Sequence, residues 1–361
     1  MPLVSLREIA EKVGCSRSTV SYALKNHPSI SAKMRDRIKK VAEDLGWHPN
    51  AELAQHMSLV RNTLSASSLP NLAIIINMSN RDLNLGFAPR YQLKGAMDYA
   101  EKRGYSVNVF NLVEQPLSAS RLKSILKARG IQGIIYIGTV APGIPLEYLV
   151  MGHDFSCAVV GVRHMEVPFH MTLPDWTSTA RLAILNVLRL GYKRPGVIVP
   201  KELDRALGWG FSSGVVAGMM DVQEKHRLPV LLVGEDESKI PEYERDRCVE
   251  WIQENRPDAI LTTDCREMPI ILDDARLARR KRPPIYSLSW NKEQPVDGGI
   301  DERHVEVGRA AVDLVVAQLH RRESGIPEVQ QAVLIEGIWV DGNQDTPSTE
   351  GESAKKLVAH A

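Results

Sequence analysis

The chain has 361 residues with a formal net charge of +1, 43% hydrophobic and 25% charged residues, which excludes collagen-like, wholly disordered and supercharged classes. At about 150 residues per domain, this length calls for two or more domains. No apolar run nears the roughly 18 residues of a membrane helix, and Arg7 and Glu8 interrupt the N-terminus before a signal-peptide core can form, so a cytoplasmic location without membrane contact is expected. The near-zero total hides a split: residues 1–62 carry ten Lys or Arg against six Asp or Glu, the remainder 35 against 38. A basic front ahead of a slightly acidic body suits a small module that touches a polyanion and a larger body with another task.

In chain order, Ser5 followed by Glu8 forms a capping box, and Ile9, Ala10 and Val13 give the apolar stripe of a helix from about Leu6 to Val13. Gly14 permits the reversal of a tight turn, and Ser16 caps a second helix from Arg17 to about Lys25 with Val20 and Leu24 inward. A third helix starts near Ser31, buries Met34, Ile38, Val41 and Leu45, and ends at Gly46. The polar stretch from about Arg61 to Pro70 reads as a linker. From Asn71 onward the period changes. Apolar runs at 72–76, 107–110, 133–137, 158–161, 196–199, 230–233, 259–261 and 285–288 alternate with amphipathic segments such as 92–103 and 177–190. Such alternation predicts two doubly wound parallel-sheet units with helices on both faces and a ligand crevice at the strand C-terminal ends. The polar segment 343–361 reads as a frayed tail.

Two short helices joined by a glycine turn can place the second in the major groove. There Arg17 can bond two guanine acceptors, Ser18 can bond either base class, and Tyr22 offers a hydroxyl and a flat apolar face. Ser5, Ser16, Thr19, Ser21, Ser31 and the helix N-termini suit phosphate oxygens. The alternative is a three-helix bundle with a merely solvated face. Cys15, Cys157, Cys248 and Cys265 are far apart with no CxxC pair, which points to buried free thiols. His164, Glu166 and His170 lie close in sequence, but Pro168 breaks the helix that would align them, so no metal is expected. The basic run 279–282 precedes Pro283-Pro284 and reads as a solvated helix end in preference to a DNA contact. P-loop, GxGxxG and HExxH patterns are absent, and no cofactor or catalytic activity is expected.

The stretch VSLREIAEKVGCSRSTVSYALKNHPSISAKMRDRIKKVAEDLGWHPN, residues 4–50, resembles the DNA-binding signature of the lactose repressor (LacI/GalR) family. Strand-helix order follows that family over about residues 4–342. The resemblance implies an N-terminal all-α helix-turn-helix domain (1–49), a hinge helix and linker (50–70), and a two-subdomain periplasmic-binding-protein-like effector and dimerisation domain (71–342). It also implies a homodimer on a near-palindromic operator, controlled by a small molecule, by default a sugar. No tetramerising heptad appears in the tail, which favours a dimer. Base-contacting positions of the family fall on Arg17, Ser18 and Tyr22, and phosphate-contacting ones on Ser5, Ser16, Thr19, Ser21, Ser31, Trp47 and Asn50. Many members carry Arg where this chain has Tyr22, which implies a different half-site. The family's hinge helix wedges a leucine into the minor groove; counting from Pro49-Asn50 puts His56 at that place, with the apolar Met57 beside it. Effector contacts map to Ser79, to Arg205 in RALGW, to Asp264, and to Trp290-Asn291 in place of an aromatic-aspartate pair. Hydroxyl-bonding groups beside an indole suit a polyol, although Arg205 can equally serve an interdomain salt bridge and Trp290 a core. The rival readings are a solute-binding transport module, which requires export, and a sugar- or nucleoside-processing enzyme, which needs an acid-base or metal constellation.

Overall fold

The computed structural model describes residues 6–24, 30–45, 70–85, 87–138, 143–161, 167–234, 240–277, 282–294 and 296–342. The chain divides into two compact units, Met1–Leu69 and Pro70–Ala361.

The small unit contains helices α1 (Leu6–Val13), α2 (Arg17–Leu24) and α3 (Ala32–Asp44). Its core joins Ile9, Ala10 and Val13 to Val20, Ala23, Ile38 and Ala42, so each helix buries one stripe and leaves the rest to solvent. Gly14, at φ +78°, sits in the left-handed region that ends α1, and the amides of Gly14 and Cys15 both donate to Ala10 O.

In the large unit, β1 (Asn71–Ile76) is followed by α4 (Asn80–Leu85), α5 (Phe87–Lys102), β2 (Ser106–Asn111), α6 (Ala119–Ala128), β3 (Gly133–Ile137), α7 (Leu146–Met151), β4 (Ser156–Val160) and β5 (His170–Pro174). The second lobe runs through α8 (Trp176–Arg189), β6 (Pro195–Pro200), α9 (Lys201–Ala206), α10 (Gly210–Met219), β7 (Leu231–Val233) and α11 (Arg245–Asn255). It continues with β8 (Ala259–Thr262), α12 (Met268–Asp274), β9 (Ile285–Ser287) and β10 (Gly298–Asp301). Helix α13 (His304–Arg321) and the strands β11 (Ala332–Ile335) and β12 (Ile338–Asp341) complete the unit. One sheet has the order β11-β5-β4-β3-β1-β2, the other β12-β10-β9-β8-β6-β7. Every pairing is parallel except β10 with β12.

Burial on both faces explains the continuous apolar runs. Along β1, Leu72, Ile74 and Ile76 face Ala96 of α5 and Val307 and Ala311 of α13, while Ala73 and Ile75 face Leu122 and Leu126 of α6. The second sheet is packed the same way, with Val197 and Val199 toward Ala183 and Phe211, and Ile198 toward Trp251 and Ile252.

The two parallel-sheet units expected from the sequence are present, but four strands were not among the expected runs. β5, HMTLP, mixes polar residues with a proline; β10, GGID, holds two glycines; β11 and β12 are half-exposed at sheet edges. These strands carry the chain between lobes. It passes from β5 to α8, returns from β10 to α13, and crosses again from β11 to β12.

Cys157, Cys248 and Cys265 are buried free thiols, whereas Cys15 is only half-buried, a correction to the expectation for all four. Burial pushes the thiol of Cys248 up to about 12 and that of Cys265 to about 11.

Candidate functional site

In the small unit, packing decides which face of α2 is presented. Val20 and Ala23 are buried, which leaves Arg17 and Ser18 exposed and Tyr22 47% exposed on the opposite side. Ser16 terminates this helix as expected: its Oγ accepts from Thr19 N at 3.1 Å and lies 2.8 Å from both Ser18 Oγ and Thr19 Oγ1. Three hydroxyls therefore collect at the first turn of α2. Ser21 is half-exposed on α2, and Ser31 caps α3 by accepting from Met34 N at 3.4 Å. Ser5, Trp47, Asn50, His56 and Met57 lie outside the described residues. The arrangement offers a cation, hydroxyls and a phenol on one helical face, which can bond base edges while the helix starts bond phosphates.

In the large unit the sequence-derived effector positions follow the C-terminal ends of parallel strands. Ser79 stands just past β1, Arg205 on α9 after β6, Asp264 after β8, and Trp290 and Asn291 after β9. β1 lies between β2 and β3, and β6 between β7 and β8, so Ser79 and Arg205 sit at the points where strand order reverses.

Each of these side chains is held differently. Arg205 forms a bidentate pair with Glu202 of its own helix, Nε to Oε2 at 2.8 Å and Nη2 to Oε1 at 2.7 Å. The guanidinium holds the Glu202 carboxyl below its ordinary range. Asp264 Oδ2 accepts from Ile240 N at 2.9 Å. Asn291 Oδ1 accepts from Glu293 N at 3.0 Å. Trp290 is buried, with its amide donating to Ile300 O at 2.7 Å. Across the lobes, Arg90 of α5 approaches Glu293 at 3.9 Å.

Sequence reasoning passed over Asp204, beside Arg205. Its fully buried carboxylate accepts from Phe211 N at 2.9 Å, from Ser212 N at 3.2 Å and from Ser212 Oγ. It thereby caps α10 and ties it to α9, across Trp209 at φ +60°. The available signal was a carboxylate shortly before a helix that begins with Gly210. His170, one of the three residues weighed for a metal, is buried on β5 with Nδ1 accepting from Gln331 N at 3.0 Å. His164 and Glu166 lie outside the described residues. Among the described residues, no three His, Cys, Asp or Glu gather to hold a metal, and no helix is long and apolar enough to cross a membrane.

The chain thus carries a three-helix unit with a helix-turn-helix ahead of two parallel-sheet lobes, each with polar side chains beyond its strand ends. Residues 5–50 match the family model described as "Bacterial regulatory proteins, lacI family". Its similarity to the ribose operon repressor of Lactococcus lactis is 26% identity over 133 residues, 37% of each chain. To catabolite control protein A of Staphylococcus epidermidis it is 21% over 338 residues, 90% of this chain and 95% of the other. Two solved structures share the fold. The transcriptional regulator CelR–cellobiose complex matches with a TM-score of 0.54 at 14% identity, covering 93% of this chain and 98% of the other. The lac repressor dimer bound to operator and the anti-inducer ONPF matches with a TM-score of 0.52 at 17%, covering 94% and 98%.

Proposed function

We propose that the chain is a sequence-specific transcriptional repressor that binds a near-palindromic operator as a homodimer and responds to a small molecule, a sugar or related metabolite, in the cleft of its larger unit. The observation that carries this reading is the exposed face of α2, with Arg17, Ser18 and Tyr22 on a module whose sequence matches the family model. Support for a carbohydrate comes from the related fold solved with cellobiose, and support for a dimer on operator from the lac repressor complex.

In this reading Arg17, Ser18 and Tyr22 read bases. Ser5, Ser16, Thr19, Ser21, Ser31, Trp47 and Asn50 hold phosphates. Residues 50–70 form the hinge and linker, with Met57 or His56 at the minor groove. Ser79, Arg205, Asp264, Trp290 and Asn291 surround the effector. For a ligand to recruit Arg205 it must exchange with the Glu202 carboxylate, so an oxygen-rich ligand competes with an existing bidentate pair. Effector binding shifts the balance between lobe arrangements and through it the operator affinity. In this reading the protein acts in the cytoplasm and is not an enzyme.

Selection of bound sequences from a random duplex pool at fixed salt tests this reading. A two-fold symmetric enriched site is expected. Purely salt-sensitive binding without enrichment, in the presence and absence of a metabolite panel, overturns it.

A further inference from the structure

Several carboxylates beyond the strand ends of the large unit are already engaged. Asp204 accepts from the amides of Phe211 and Ser212, Asp264 from Ile240 N, and Asp301 from Arg303 N at 2.8 Å, while Glu202 holds Arg205. Glu302, the first residue past β10, differs. It is 3% exposed, and its Oε1 is buried and receives no hydrogen bond from the described residues. Its other oxygen, Oε2, lies 3.4 Å from His304 Nε2, and no Lys or Arg among the described residues comes within 4 Å of either oxygen.

A second acceptor of this kind stands in the first lobe. Gln92 of α5 is 2% exposed; its Nε2 lies 3.4 Å from His304 Nδ1, while its Oε1 is buried and receives no hydrogen bond from the described residues. A Cβ on Gly161 would lie 3.0 Å from that Oε1 and 3.2 Å from Gly138 O, so the amide sits against the C-terminal ends of β4 and β3. Gly161, at φ +90°, leaves room for it. Both side chains therefore flank the His304 ring beyond the strand ends. The setting is stiff, because a Cβ on Gly308 would strike Gln92 O where α13 touches α5. Burying acceptors without a donor costs free energy unless another state uses them.

We propose that Glu302 and Gln92 anchor a cationic nitrogen of the effector, which makes that effector an amino sugar or amino polyol in place of a neutral sugar. This rests on the reading of the large unit as an effector sensor and narrows its ligand class. Both open positions are acceptors. An ammonium brings donors only, whereas a hydroxyl also brings lone pairs that need donors of their own. A buried carboxylate is costly without a positive partner, and a ligand ammonium supplies one through a charge-assisted bond to Oε1. Gln92 Oε1 takes a further N–H of the same nitrogen or a neighbouring hydroxyl of the ligand. Glu302 lies on the passage from β10 to α13 and Gln92 in the first lobe, so movement of the lobes opens and closes the approach to both.

Thermal melts and calorimetric titrations of the full chain test this with glucosamine, galactosamine and mannosamine against the parent hexoses and the N-acetyl derivatives, which keep the nitrogen and lose its charge. The apparent Kd of an amine is expected to be about tenfold lower than that of its neutral counterparts, the size of one charge-assisted hydrogen bond. In E302Q, which keeps the shape and loses the charge, the preference should fall to about twofold or less, and Q92L should reduce it by a smaller factor. Without ligand, E302Q should melt at or above the wild-type temperature, because it removes a buried charge whose Oε1 has no donor. Amines that bind no better than their neutral counterparts, a preference kept in E302Q, or no response to any sugar of the panel overturns the proposal. So does an E302Q chain that melts lower or fails to fold, which would assign the carboxylate to the fold. No DNA takes part, so the outcome is separate from operator selection: neutral sugars that bind wild type and E302Q equally well leave the sensor reading standing and remove only the amine.

Discussion

Arg17 and Asp204 are both polar residues near a helix start, yet burial gives them opposite duties. Arg17 is exposed with its fork available to base edges, so Arg17→Ala should cost about 1–3 kcal/mol on the selected operator and relax one base position. Titration of the operator and of single-base variants checks this; equal loss on random DNA would reassign Arg17 to the phosphates. Asp204 satisfies the first amides of α10 from a fully buried position, so Asp204→Ala should destabilise the large unit by about 1–3 kcal/mol in urea melts without altering the selected site. The exposed face of α2 was legible because caps and apolar spacing on so short a helix leave a single orientation. The surroundings of the polar side chains beyond the strand ends were less so. Sequence places Arg205, Asp264 and Asn291 beyond strand ends, but it does not disclose that Glu202, the Ile240 amide and the Glu293 amide already occupy them. Those partners depend on loop conformation, which side-chain spacing does not encode.

The edge strand β11 is parallel to β5, and Gln331 N, just before it, donates to His170 Nδ1 at 3.0 Å. Burial, with Arg321 nearby, lowers the His170 pKa from its ordinary 6.5. The unfolded chain therefore takes this proton first. Stability is full above about pH 6.5 and declines as pH falls below it, levelling off once the folded state protonates too. Urea midpoints measured between about pH 7 and pH 5 should fall, and His170→Asn should flatten that slope; an unchanged slope would assign the effect to other groups. The crossing of α5 and α13 is governed by shape. Gly95→Ala puts a methyl against Val305 O and should cost about 2 kcal/mol or more by thermal melts, since neither backbone can yield. At this scale, α1 to α3 and the strands buried on both faces were legible from period and caps. β5, β10, β11 and β12 were not, because glycine, proline and half-exposed edges dilute the apolar signal on which period analysis rests.

Among the described residues, the core of the small unit draws its buried side chains from α1, α2 and α3. A fragment spanning residues 70–361 should keep its own cooperative unfolding transition while losing selective DNA binding; failure of that fragment to fold would show that the N-terminal unit is needed for the body's stability. The Arg90–Glu293 pair between lobes is long and exposed, so Glu293→Ala should move stability by no more than about 0.5 kcal/mol. The whole-chain plan of a basic reader ahead of an alternating strand-helix body was legible from charge asymmetry and period, whereas the triple exchange between lobes was hidden with the strands that make it. That exchange also bears on how the protein is made. The first lobe's sheet awaits β11 and its core awaits α13, and the second lobe's sheet awaits β12. A ribosome that has translated 300 codons has therefore produced neither lobe in finished form. A nonsense codon a few dozen positions before the end leaves two open sheet edges for proteases and chaperones, while the small N-terminal helices have long since had all they need to fold.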